Sequence, residues 1–442
     1  MSVPLTRVVI LGGGLSGLAV AYGLSRRPGF DVTVVEAAPK VGGLAGSFEE
    51  DGHRYPLGYH HILHRDRTLL FFLRQIGAMD RVRWRRIRLL HEHGGRLHAL
   101  GTVRGFLGFP LSAADKLRFA WLMLRAATKR DWREWHGRTA EDLVTAWSSA
   151  AVTERLFEPL CRLRFELPPA QVSGAWLGTR LYFREGSAPL GYIPGDNWTS
   201  VLCSGMDALV TASGVRLVTN ARIAALESRE RRIVCATTES GTRIEGDLFV
   251  STLPPESYLR LVGGDDTPGL GGIAYSAMIS ALCASKDAPP QDFYWLNVAS
   301  MSKAACGVFV LNNLNPTIGG PGGHCINFVT HLRTRKSPFY LLPDRLVIDS
   351  YMRDFRELFG IELQATWWKI NRIPLYAPIC TPDYENPPIR SRSYENVRFA
   401  GTYRAYPSVM STGVALGSGL ATADEMLGTT GSGASLARAA RR

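Results

Sequence analysis

The chain has 442 residues, of which 45% are hydrophobic and 20% charged, the mix of a globular protein with a sizeable core spread over two or three domains. A formal net charge of +12, much of it in the clusters RVRWRRIR (81–88) and KRDWREWHGR (129–138), suits an anionic membrane or a phosphorylated substrate, or is a solvated arginine-rich surface; no nucleic-acid partner is expected. Seven cysteines (161, 203, 235, 283, 306, 325, 380) stand singly, with no CxxC and no zinc-type spacing, and no run of about 18 apolar residues occurs, so the sequence predicts reduced thiols in a cytoplasmic protein that does not span a membrane.

The chain opens MSVPLTRVVILGGG, an apolar stretch that runs into a glycine loop with no cleavage site, which predicts a buried strand rather than a signal peptide. A β-rich run at 7–11 meets Gly12-x-Gly14-x-x-Gly17, residues 18–24 have helical character, and a second β-rich run at 32–35 ends in Glu36. That is a strand–loop–helix–strand unit with an acid some twenty residues past the glycines, the pattern of a dinucleotide site. Gly12 allows the tight turn, Gly14 lets backbone approach a pyrophosphate, and Gly17 lets the helix pack on the sheet. The helix N-terminus offers N–H groups to phosphate, and Glu36 accepts from a ribose diol.

KVGGLAGSF (40–48) follows directly, and then GYHHILH (58–64), which carries His60, His61 and His64. HHxxH on a helix would present ligands to a metal, but Pro56 and Gly58 argue for a loop and no carboxylate cluster accompanies it, so no metal is expected. Residues 76–189 read as mostly helical: SAADKLRFAWLMLRAATKRDWREW has helical spacing, and TAEDLVTAW starts at a threonine cap. The basic amphipathic stretch 104–136, with Trp121, Trp132 and Trp135, either docks on a membrane to collect a lipophilic substrate or packs within this helical unit. Residues 263–369 contain GVFVLNN and HCINFVTHL, which predict an antiparallel sheet, followed by a helix over SPFYLLPDRLVIDSYMRDFRELFG. WWKINRIPLYAP (367–378) brings Asn371, Arg372 and Tyr376, Cys380 follows, and the tail GTTGSGASLARAARR is of a disordered composition.

The order GxGxxG, Glu36, Gly42-Gly43 and Gly46 resembles the FAD-dependent superfamily of amine oxidases, protoporphyrinogen oxidases, phytoene desaturases and UDP-galactopyranose mutases. Lys40 and Leu44 stand where many members have arginine, which points away from the monoamine oxidases and toward the mutase and protoporphyrinogen-oxidase-like branches. The likeness recurs at GYIPG (191–195), GMDAL (205–209), GVRLVTNARIAALE (214–227), GTRIEGDLFVSTLPP (241–255) and ENVRFAGTYRAYPSVMSTGVALGSGLATADEML (395–427). It implies an α/β fold: a Rossmann-like FAD-binding domain assembled from 1–75, 190–262 and 370–428, a helical substrate subdomain at 76–189, an antiparallel-sheet subdomain at 263–369, and a disordered tail at 429–442.

The same likeness implies non-covalent FAD, held by Gly12, Gly14, Leu15, Ser16, Gly17, Glu36, Ala37, Gly42, Gly43, Leu44, Ala45, Ile223, Gly401, Met410, Thr412, Gly413 and Val414. Ile223 would line the adenine, and a helix from near Gly413 would aim its positive end at the flavin pyrimidine. Some amine oxidases attach flavin to a C-terminal thiol, but the position of Cys380 matches poorly. The mutase pattern G-x-H-I-F-H places His61, or His60, at the flavin face as a proton shuttle titrating near neutrality or as a hydrogen bond to the isoalloxazine; ordinary packing of the two rings is the alternative. Tyr403 and Tyr406 would stand beside the flavin, with Arg404 between them available to an anionic substrate. The expected activity is hydride transfer from an amine, an alcohol or a desaturable C–C bond to flavin, with O2 or another acceptor. The alternative is a non-redox flavoenzyme acting on a nucleotide sugar, as UDP-galactopyranose mutase does.

Overall fold

The computed structural model describes residues 5–183, 188–264, 266–319, 323–431 and 434–441. Its first layer grows from the β-branched run Thr6–Leu11, whose residues Val8 to Leu11 are buried on both faces, as a central parallel strand requires. Phe30–Val35 pairs with it in parallel on one side and Leu248–Ser251 on the other; Arg216–Val218 and Val397–Phe399 complete a five-stranded parallel sheet. The helices Leu15–Ser25 and Thr412–Met426 pack against each other over this sheet through Leu18, Leu416, Leu420 and Ala423. A three-stranded antiparallel meander, Ile223–Arg229, Arg232–Thr238 and Arg243–Glu245, lies beside it.

The second layer is a seven-stranded sheet in the order Ala365–Pro378, Tyr275–Ser285, His324–Leu332, Gly307–Val310, Trp295–Val298, Leu89–His93, Arg96–His98. Period-two alternation sorts its side chains. Leu296, Val308, Val310, Ile326 and Phe328 face the helix Asp344–Phe359, whose Val347, Tyr351 and Phe355 are fully buried. Trp295, Phe309, Val329 and His331 face the other way, toward a cavity. Helices Ala113–Thr128, Ala140–Trp147, Glu158–Phe165 and Gly174–Tyr182 share a core of Leu122, Leu143, Phe165 and Trp176 against one side of that cavity.

Local signals set several boundaries. Thr139 and Asp142 form a reciprocal capping box, each side chain accepting from the other's backbone N–H at 2.9 Å. The helix expected over 337–360 begins only at Asp344, because Pro343 occupies the position before it. The helix expected over 112–135 stops at Thr128 and resumes as a single turn at Arg133–Trp135, burying Trp132 and Trp135.

Three expectations about organisation need correction. Residues 370–378, assigned to the cofactor domain, belong to the 14-residue strand Ala365–Pro378, which pairs antiparallel with Tyr275–Ser285 and so extends the seven-stranded sheet. Within the helical segment, Leu89–His93 and Arg96–His98 form a hairpin that joins the same sheet, parallel to Trp295–Val298. The tail is ordered where described: Leu436–Ala439 is helical because buried Asp424 accepts from Ser435 Oγ at 2.7 Å and from the N–H groups of Leu436 and Ala437 at 2.9 Å. Residues 432, 433 and 442 of that tail lie outside the described residues.

Candidate functional site

The site begins at the glycine turn. Gly12 has φ +104°, open to glycine at little cost, and a Cβ on Gly17 would lie 2.1 Å from the Gly12 carbonyl oxygen, so turn and helix are as close as backbone allows. A Cβ on Gly14 would meet only Gly43 Cα, at 3.9 Å, with open cavity in front. Helix Leu15–Ser25 starts at Gly14 without a side-chain cap, leaving its first N–H groups directed at that space. Glu36, at the end of the second strand, accepts from Gly13 N at 2.7 Å through Oε2 and from Ala38 N at 2.8 Å through Oε1. Each oxygen keeps acceptor capacity toward the cavity it lines. The 40–46 loop is tied to the turn by Gly42 N donating to Gly13 O at 2.8 Å.

GYHHILH is a loop, pinned where Ile62 bridges to Gly191, and its histidines go to three environments. His60 Nε2–H donates to Leu44 O at 3.0 Å, which fixes the segment under the double glycine. His64 stacks on Trp84 at 3.6 Å. His61 stacks on Trp295 with centroids 5.5 Å apart, meets Tyr294 edge-on at 5.5 Å, lines the cavity, and leaves Nε2 without a partner. Burial, then His60 and Arg180, push its pKa down to about 3. The expectation of an imidazole titrating near neutrality therefore fails for His61: aromatic walls hold it neutral.

From the C-terminal side come Gly401, Tyr403, Tyr406, Met410 and the start of helix Thr412–Met426, all lining the same cavity. Tyr403 is packed with Phe249, Tyr258 and Phe399, and burial pushes its phenol well above the ordinary value. The Tyr406 hydroxyl shares a 2.6 Å hydrogen bond with Ser173 Oγ, tying this turn to the helical subdomain. The last helix does not present a bare positive end. Ser411 Oγ accepts from Val414 N at 3.2 Å, and half-buried Asp66 accepts from Gly413 N at 3.2 Å while capping its own helix at Leu69 N, 3.1 Å.

The far wall is contributed by the seven-stranded sheet, the helical segment and the loop at 58–64. Tyr59, Trp295 and Phe309 form an aromatic surface, with Tyr59 stacked on Phe309 at 4.2 Å. Arg164 donates through Nη1 to His331 Nε2 at 2.9 Å and lies 4.9 Å over the Tyr376 ring, and Arg180 completes this end. The whole is one cavity of about 1140 Å3.

Most of the residues expected at the cofactor line this cavity. Three do not. Gly17 is pressed against Gly12 behind it; Ala37 is exposed at the strand end; Ile223 pairs with Thr238 in the meander and packs on the cluster of Val9, Val35 and Ala221. Of the WWKINRIPLYAP residues Leu375 and Tyr376 line it, whereas Asn371 donates to Leu57 O and Arg372 is held by Asp344. Arg404 lines it while donating to the carbonyls of Pro387 and Phe399. Sequence reasoning missed Asp66, Arg164, Arg180 and His331. For Arg164 a signal existed: with Cys161 and Phe165 it makes an i, i+3, i+4 set, which places a charge on a buried helix face.

A parallel sheet, a glycine turn with its acid, and a C-terminal helix that converge on one end of a cavity, with an antiparallel sheet over the other end, define a two-layer flavoprotein. The chain belongs to the flavin containing amine oxidoreductase family, whose profile matches residues 15–427. FAD is the cofactor this family carries, and the open face of Gly14, the uncapped helix and the free lone pairs of Glu36 fit it.

Among curated proteins, D-amino acid dehydrogenase 2 of Pseudomonas aeruginosa is 37% identical over 146 residues, 30% of each chain. The matched stretches span under a third of the curated relatives, 30% of this one and 15% of another. Among solved structures, a protein from Exiguobacterium sp. 255-15 provisionally described as a protoporphyrinogen oxidase superposes with TM-score 0.77 at 17% identity, covering 96% of this chain and 99% of that one. Reduced UDP-galactopyranose mutase superposes with TM-score 0.73 at 16% identity, covering 96% and 94%. These structures share the fold.

Proposed function

We propose that the protein oxidises a small molecule in the cavity between its two sheets, as an FAD-dependent oxidoreductase. The observation that carries this reading is the continuity of that cavity from the glycine turn and Glu36 to the aromatic wall of Trp295 and Phe309. At about 1140 Å3 it exceeds the roughly 300–1,000 Å3 of a single-ligand site, so a cofactor and a substrate fit together. When bound, FAD supplies the two-electron acceptor for a hydride from a substrate C–H bond and passes the electrons to O2 or another acceptor.

The chain's own residues do the rest. The N–H groups of Leu15 and Ser16 receive phosphate, Glu36 receives the ribose, and residues 42–45 and 410–414 enclose the remainder. Tyr59, Trp295 and Phe309 exclude water from the reacting end. Neutral His61, which lines this end of the cavity, orients the substrate by hydrogen bonding. Non-covalent attachment is supported by the thiols: Cys380 is buried outside this cavity with its pKa pushed up to about 12, and Cys306, which lines it, is pushed up to about 11. The exposed apolar face of helix Ala113–Thr128 supports a peripheral contact with an anionic membrane, since the same helix lends Phe119 to the cavity wall.

Anaerobic mixing with amines, alcohols, polyisoprenoids and nucleotide sugars tests the assignment. A substrate bleaches the yellow absorbance and O2 restores it; a protein that keeps FAD and is bleached by none of these classes would count against it. The arginine-bearing far end favours one second reading, a mutase acting on a nucleotide sugar. That enzyme would turn over with no net consumption of an electron acceptor.

A further inference from the structure

The charge around the cavity is lopsided. Its described lining contains two carboxylates, Glu36 and Asp66, and both are engaged by backbone N–H groups. Arg164 and Arg180 reach it from the last turns of two helices that touch through Phe165 and Trp176, and neither has an acidic partner among the described residues. Cations are welcome at helix C-termini, but that preference belongs to exposed groups and is small. Arg164 is only 7% exposed, and its Nε is buried without a hydrogen-bond partner.

The groups facing this pair bring no counter-charge. His331 is held neutral, its pKa driven well down by burial and by the two arginines. Burial raises the pKa of Tyr59, so its phenol keeps its proton. Tyr376 meets Arg164 with a hydroxyl, at 3.4 Å. Burial, then the like charge of Arg164, lowers the pKa of Arg180. A desolvated cation with no anion nearby is expensive, and two sharing one wall are more so.

We propose that Arg164 and Arg180 bind an anionic group of the substrate, a carboxylate or a phosphate, and that the site discriminates against simple cationic amines. The inference rests on the reading of the cavity as the joint FAD and substrate site. Guanidinium forks match both oxyanions with paired N–H donors, and both arginines line the cavity. The aromatic surface of Trp295 and Phe309 takes the apolar body of the same molecule.

The test uses FAD-loaded protein and four probes on one ring scaffold: benzoate, phenyl phosphate, benzyl alcohol and benzylammonium, at fixed ionic strength. Binding is read from the perturbed flavin spectrum. One or both anions should bind more tightly than the alcohol, and benzylammonium more weakly than either; the preferred anion identifies carboxylate or phosphate. Arg180→Met should weaken the anion by roughly tenfold to a hundredfold, the range of a charged hydrogen bond, and leave benzyl alcohol unchanged. Arg180→Lys should recover part of the loss. Arg164→Lys, which keeps the buried charge but not the fork, should repeat the effect if Arg164→Met does not fold. Benzylammonium binding as well as benzoate, neither anion binding, or Arg180→Met binding anions like wild type would overturn the anion site and leave the oxidoreductase reading standing. A folded protein that cannot be loaded with FAD would overturn both.

Discussion

His60, His61 and His64 share one short loop, yet their surroundings assign them different work. His61→Ala is expected to keep FAD and lose flavin reduction by substrate, by roughly a hundredfold, what the loss of a positioning contact can cost. His60→Ala should show a weaker form through the lost bond to Leu44 O, and His64→Ala should affect packing on Trp84 alone. Stopped-flow reduction with the visible spectrum as loading control measures this; losses of only a few fold for both His61 and His60 would reduce the loop to packing. The pH dependence has a definite sign. His61 stays neutral in the fold down to about pH 3, whereas an unfolded histidine protonates near 6.5. Unfolding therefore takes up a proton between those values, so stability falls as pH drops from about 6.5 toward 3, and His61→Ala flattens that fall. Any inflection in rate near neutrality should survive in His61→Ala. At the other end of the cavity, Gly14→Val would place a branched side chain in the open space before Gly43, and should purify folded but pale. A full flavin spectrum in that variant would mean phosphate lies elsewhere.

Among the elements, helix Ala113–Thr128 turns Leu117, Trp121 and Leu124 outward at i, i+4 and i+7, with 74%, 55% and 59% of each exposed. Val103 and Leu107 extend the apolar face, and Arg104, Lys116 and Arg118 flank it with positive charge. Sedimentation with anionic vesicles should carry the protein down, and Leu117→Ser with Trp121→Ser should abolish this without lowering the melting temperature, because neither side chain is in the core. Sedimentation unchanged in the double variant would assign the face to another role. At the C-terminus, Asp424→Ala strips the caps from Ser435, Leu436 and Ala437, and should cost about 1–3 kcal/mol and free the last residues to proteases. The strands and helices that local pattern alone defines, such as Thr6–Leu11 and the Thr139-capped helix, are legible in the sequence. Those that depend on remote partners are not. The Leu436–Ala439 helix exists through a carboxylate ten or more positions upstream, and Ala365–Pro378 is a strand because Tyr275–Ser285 is beside it. Asp66 is readable as the cap of its own helix, but its second bond, to Gly413 across 347 positions, is visible only in the fold.

For the molecule as a whole, most of the cofactor end is legible because glycine spacing and an acid after a strand have local geometric causes. The proposed substrate end is not, since Arg164, Arg180 and His331 converge from two helices and a sheet with no common motif. In the proposed arrangement the cofactor joins the two ends. Its expected contacts at 12–16, 36–45 and 401–414 are brought together by the parallel sheet and by few direct bonds, among them Gly42 N to Gly13 O and Gly413 N to Asp66. A ligand that binds only the folded state adds RT ln(1 + [L]/Kd), about 2.7 kcal/mol at a hundredfold excess over Kd. Stripping FAD should therefore lower the melting temperature by several degrees and, because the last helix is held at its N-terminus mainly by Ser411 and Asp66, expose the 401–414 segment to limited proteolysis before the rest. Re-addition of FAD should restore both protections. Acid precipitation of the loaded protein should leave all the colour in the supernatant, since neither Cys306 nor Cys380 offers a ready thiolate. Colour kept in the pellet would show a covalent bond, and cleavage that starts elsewhere in the stripped protein would show that the cofactor does not hold the C-terminal segment in place.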